Sequence, residues 1–118
     1  MPTVIEIIER ADKIRPNQFS DETKAEWLNH IEGRIAAEIF KENEYSPFIL
    51  PEDGDKELRL ESPYDDIYNW YMYAMIDIAH REYDAYRIDM EMFNAAWDDA
   101  ETFYKKQKRQ NKFINIVP

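Results

Sequence analysis

From Ile67 to His80 the chain is apolar almost all the way round a helix, interrupted mainly by Asn69 and Asp77. A helix with no polar face is stable in water only when other elements cover it on several sides. This segment therefore predicts a central helix, and the rest of the chain is read for what surrounds it. The Ser62-Pro63-Tyr64-Asp65 stretch before it offers a cap residue, a proline for the first turn and an acid near the positive end of the helix dipole.

Three further helices carry apolar stripes. Thr3-Val4-Ile5-Glu6 has the form of a capping box, and Val4, Ile7, Ile8, Ala11 and Ile14 recur behind it at helical spacing until Pro16 stops the run. Ser20 caps a second helix, expected from about Asp21 to Lys41, with Leu28, Ile31, Ile35 and Ile39 as its stripe and Gly33 inside it. In the central helix Ile67, Tyr71, Ala74 and Ile78 step by four, three and four. Continuing that register would bury Arg81 or Glu82, whereas the stripe reappears one residue out of step as Tyr86, Met90, Phe93, Trp97, Ala100 and Tyr104. A break near Arg81 to Tyr83 follows, with one long helix as the alternative. The fourth helix, Asp84 to about Lys106, would be about 35 Å long. The expected core joins Leu28, Ile31, Ile35, Ile67, Tyr71, Ala74, Ile78, Met90, Phe93 and Trp97.

Between helices 2 and 3, Pro51-Glu52-Asp53-Gly54-Asp55 is turn chemistry, and Glu57-Leu58-Arg59-Leu60-Glu61 alternates with period two. This predicts a short β-hairpin or an ordered loop. The fold class is thus mainly α: a four-helix bundle with that insertion, a single helical domain over 1–104, and an extended basic and apolar tail over 105–118. Only two glycines occur in the 118 residues, too few for a phosphate-cradling loop or for the tight turns of an all-β fold. There is no cysteine, so disulfides, thiolate metal sites and cysteine nucleophiles are excluded.

Charge divides the chain in two. The net charge is −10, but residues 105–118 hold Lys105, Lys106, Lys108, Arg109 and Lys112 and no acid, leaving −15 on the first 104 residues. An acidic body argues against sequence-specific nucleic-acid binding and against anionic membrane surfaces. No apolar run is long enough for a membrane span, and the amino-terminal residues lack the pattern of a secretory signal.

Catalytic signals are thin. Ser20 and Ser62 sit where helices start, and Ser46 has no histidine placed to activate it. Asp77 and His80 share a helix face at a spacing that can hold a metal, but a di-iron bundle needs two Glu-x-x-His motifs and two further glutamates. A helix-end cation explains His80 better, and His30 follows Glu26 as an ordinary surface pair. Asp53-Gly54-Asp55 fails as a calcium loop, because the other ligand positions fall on Ile49, Pro51 and Leu60. No catalytic, metal or cofactor-binding residue is expected, and no enzymatic activity.

Several blocks carry a resemblance: Ile14-Arg15-Pro16-Asn17, Trp27-Leu28-Asn29 with Glu32-Gly33-Arg34-Ile35, Pro63-Tyr64-Asp65-Asp66-Ile67-Tyr68, Glu82-Tyr83, and Met92-Phe93-Asn94-Ala95-Ala96-Trp97. Over roughly residues 3 to 104 the chain resembles small proteins of tailed phages and prophages of Gram-positive bacteria. In length, charge and helix pattern these are similar to head–tail connector, or adaptor, proteins. The resemblance implies a structural virion component of the neck, present in the host cytoplasm during assembly. It implies a homo-oligomeric ring that contacts portal or tail proteins, with residues 45–61 as a projection and 105–118 as an arm. The arm would bind its partner through Lys105, Lys106, Lys108, Arg109, Lys112, Phe113, Ile114, Ile116 and Val117. An acidic surface also suits a channel past which DNA must slide. The competing expectation is an acidic inhibitor, such as a DNA mimic that occupies a host nuclease.

Overall fold

The computed structural model describes the backbone of residues 1–116 and side chains to residue 109. Four helices follow in order: α1 Val4–Ile14, α2 Asp21–Glu38, α3 Asp66–Ala79 and α4 Tyr83–Ile116. As its apolar circumference demands, α3 is central. It packs against the other three helices, while α1 and α2 also pack on each other.

The N-cap residues of α1 and α2 act as read. Glu6 N–H donates to Thr3 Oγ1 at 3.3 Å, and Thr23 N–H donates to Ser20 Oγ at 3.1 Å. The central helix starts later than its serine suggests: α3 begins at Asp66, and its N-cap Asp65 makes no side-chain cap bond. Its end is a left-handed cap on a residue other than glycine. Arg81 sits at φ 61°, Arg81 N–H donates to Ile78 O at 3.1 Å and Glu82 N–H to Asp77 O at 2.9 Å. This turn separates α3 from α4 at the predicted break.

Neither a β-hairpin nor an extended tail forms among the described residues. The insertion is an ordered loop whose polar backbone is used by α1. Gly54 O and Lys56 O accept from Ile5 N–H and Val4 N–H at 3.0 Å each, and Leu58 N–H donates to Pro2 O at 2.8 Å. Those carbonyls satisfy helix-start donors that have no partner within the helix, leaving one isolated bridge, Thr3 to Glu57. Leu58 and Leu60, which were not among the expected core residues, are both fully buried. Asn29 anchors the loop from α2, accepting from Tyr45 OH and Phe48 N–H at 2.7 Å each. At the other end α4 runs 34 residues, about 51 Å, so the stretch after Lys105 is helical to Ile116. Lys, Gln and Arg are good helix formers, and over 105–110 they extend a helix already nucleated by packing.

The core unites Val4, Ile7 and Ile8 of α1, Leu28, Ile31 and Ile35 of α2, Ile67, Tyr68 and Met72 of α3, and Phe93, Trp97 and Ala100 of α4. Tyr71 and Ala74 are buried as expected. Ile78 and Met90 are only half-buried, and Ile14 is exposed at the end of α1.

Candidate interaction surface

The cationic end of α4 lies beyond the last aromatic contacts of the bundle. Phe103 stacks on Tyr64 at 4.3 Å between ring centres, and Tyr104 meets Phe40 at 4.9 Å while its hydroxyl accepts from Glu61 N–H at 3.4 Å. Burial pushes the Tyr104 phenol up. Past this point Lys105, Lys106, Lys108 and Arg109 are all exposed. Lys105 pairs with Glu101 one turn earlier at 3.5 Å. Gln107 and Lys108 border a shallow groove with Ile39, Phe40 and Tyr104. The structure therefore gathers the first four predicted arm residues on one helix end. The side chains of Lys112, Phe113, Ile114 and Ile116, and Val117 entirely, lie outside the described residues.

The chemistry candidates disperse. His80 stacks on Phe19 with ring centres 5.2 Å apart, whereas Asp77 takes Arg15 at 3.2 Å. His30 lies against the Tyr71 ring rather than pairing with Glu26. Asp53 closes its own turn, accepting from Ile49 N–H at 2.8 Å and pairing with Lys56 at 3.3 Å, which together hold its carboxyl below the usual range. Among the described residues no group of three or more histidine, aspartate or glutamate side chains is placed to hold a metal ion. Nor is any helix among them long and apolar enough to cross a membrane.

Among the described residues, two buried carboxylate sites escaped the sequence reading. In the first, Glu32 on α2 is fully buried. Its Oε1 accepts from Tyr68 OH at 2.7 Å, its Oε2 accepts from Arg59 N–H at 2.9 Å, and the Arg59 guanidinium stands 3.4 Å away. Burial pushes the Glu32 carboxyl up, against the lowering effect of these donors. Tyr68 OH in turn accepts from Leu60 N–H at 3.0 Å, so the site ties α2, the loop and α3 together. In the second, Arg15 at the end of α1 reaches Asp77 on α3 at 3.2 Å and Asp89 on α4 at 3.4 Å, with its guanidinium 5.0 Å from the Tyr73 ring centre. Burial, then the adjacent Asp77, pushes Asp89 up to about 7 despite Arg15. Both sites join helices through internal donors, a structural use of charge. Their signals were present as acids on apolar stripes: Glu32 between Ile31 and Ile35, and Asp89 four residues before Phe93.

No protein-family model matches the chain, no curated protein matches it in sequence, and no solved structure matches its fold.

Proposed function

We propose that the chain is a non-catalytic structural subunit, similar to a head–tail connector of a tailed phage or prophage. It would act in the virion neck after assembly in the host cytoplasm. The observation that carries this reading is the split along α4. Its packed part belongs to an acidic bundle, while Lys105, Lys106, Lys108 and Arg109 stand exposed on one helical end. A cationic helix end beside an acidic body steers association with acidic protein surfaces, and a helix arrives preorganised. Portal or tail proteins and sister subunits are the proposed partners. The ion sites support the same reading, since an arginine of the chain already engages the carboxylates of each.

The test is the protein content of particles from the phage or prophage that encodes the chain. The chain is expected in purified particles at a fixed ratio to the portal subunit. A variant with Lys105, Lys106, Lys108 and Arg109 replaced by Gln should fold normally yet be lost from particles. Absence of the parent chain from intact particles overturns the proposal.

A further inference from the structure

The side of α4 turned away from α3 has a pattern of its own. Phe93, Trp97, Ala100 and Tyr104 mark the inward face. On the reverse side Ile88, Met92, Ala95, Asp99, Thr102 and Lys106 follow one another at alternating spacings of four and three, the seam of a helix meeting a second helix at a shallow angle. Ile88 is 58% exposed and Met92 44%, large values for such side chains in a helix, and the other four positions are exposed as well. Among the described residues, neither Asp99 nor Lys106 is engaged in an ion pair within the chain; the nearby pair is Lys105 with Glu101.

The charges on this seam are arranged about Thr102. Asp98 and Asp99 lie three to four residues before it, and Lys105 and Lys106 lie three to four residues after it. A parallel second copy would set Asp99 against Asp99 and Lys106 against Lys106, which is repulsive. An antiparallel copy sets Thr102 against Thr102, Asp99 against Lys106 and Ala95 against Arg109. Complementary charges on facing positions set register and orientation in paired helices.

We infer that this face of α4 is a self-association site, on which two copies pair antiparallel about a two-fold axis at Thr102, with Asp99 of each against Lys106 of the other. This deepens the reading above and rests on its premise that the basic end of α4 is a docking element. The pair occupies Lys106 and Arg109 in the free protein, so a second copy and the portal or tail partner compete for the same cations.

The test uses the full chain in solution. The parent should sediment as a dimer that weakens with added salt, because the central contacts are exposed charges. Asp99→Lys and Lys106→Asp should each weaken self-association at least about tenfold, since each places two like-charge contacts in the pair. An equimolar mixture of the two variants should restore association, because each mixed pair has both contacts opposite in sign. Thr102→Cys should form a disulfide-linked dimer under mild oxidation, whereas Asp84→Cys, at the far end of the seam, should not. The conservative Thr102→Cys exchange keeps the pairing testable even if a charge variant fails to fold. A monomeric parent, a mixture no tighter than its components, or equal cross-linking at both positions overturns the pairing. Failed cross-linking with the chain still present in particles overturns the pairing alone. Cross-linking with the chain absent from particles overturns the connector reading alone.

Discussion

The buried carboxylate sites around Glu32 and Arg15 use the same parts with opposite degrees of satisfaction. Around Glu32, both carboxylate oxygens have donors, and Arg59 also reaches Glu42 at the surface. Around Arg15, two carboxylates share one guanidinium, and Asp89 Oδ2 is buried without a partner. An ionised carboxylate with an orphaned oxygen is costly in a low-dielectric site, whereas a protonated Asp89 can donate to Asp77. The first site therefore specifies how α2, the loop and α3 meet through a carboxyl group whose two oxygens are both partnered. The second joins α1, α3 and α4 with a strength that depends on one proton.

The largest loss of stability is expected at Glu32. Glu32→Ala leaves Arg59 and the Tyr68 hydroxyl without their shared acceptor and should cost about 3–5 kcal/mol in chemical denaturation, the range for removing one side of a buried pair. Tyr68→Phe should cost about 2–3 kcal/mol by the same measurement, because it strips a donor from Glu32 and leaves the Leu60 N–H unpaired. A near-neutral result for either variant would show that water or loop movement replaces the lost bonds.

The second site is sharpened by pH. Asp89 is raised in the folded state to about 7, so the folded chain holds that proton more tightly than the unfolded one. Its contribution to stability is present at low pH and is lost as pH rises from the ordinary aspartate range through about 7. Asp89→Asn should remove this slope and leave the variant about 1–2 kcal/mol more stable than the parent near pH 8. Denaturation midpoints of the two chains compared across pH 5 to 8 provide the check, and parallel profiles would reject the proton-dependent account. Glu32, also raised, gives a slope of the same sign in both chains and cancels in that difference.

The smallest expected change lies beside the first site. A Cβ added at Gly33 would meet the Tyr45 ring at 3.6 Å, an ordinary contact. Close approach of a neighbour does not require glycine there. Gly33→Ala should stabilise the chain by about 0.5–1 kcal/mol in a thermal melt through helix propensity and reduced freedom of the unfolded chain. A loss of stability would mean that Tyr45, which also stands near Arg59, cannot move by the little required.

What could be read from residue order follows from local physics. The caps at Thr3 and Ser20, the stop after α1, the inward stripe of α4 and the register slip at Arg81 each involve neighbours within a turn or two. The insertion was half legible: turn chemistry and alternation marked an ordered segment, but not that α1 donors take its carbonyls or that Leu58 and Leu60 join the core. The tail was misread because apolar β-formers near its end outweighed, on paper, the helix formers that continue α4. The charge division between body and tail was visible at once. The seam on the outer face of α4 was hidden until the inward face was known, because only then does its reverse side have a meaning.

Sequence alone determined a mainly helical chain built round α3, an acidic body and a basic end, because periodicity, capping and charge are properties of neighbours along the chain. Tertiary structure alone decided that Glu32 and Asp89 are interior. An acid in an apolar stripe marks a candidate position, but its burial depends on partners far away in sequence: Arg59 and Tyr68 for Glu32, Arg15 for Asp89. Long-range pairing leaves no local trace, since the energy that holds a buried charge comes from groups the chain brings together only on folding.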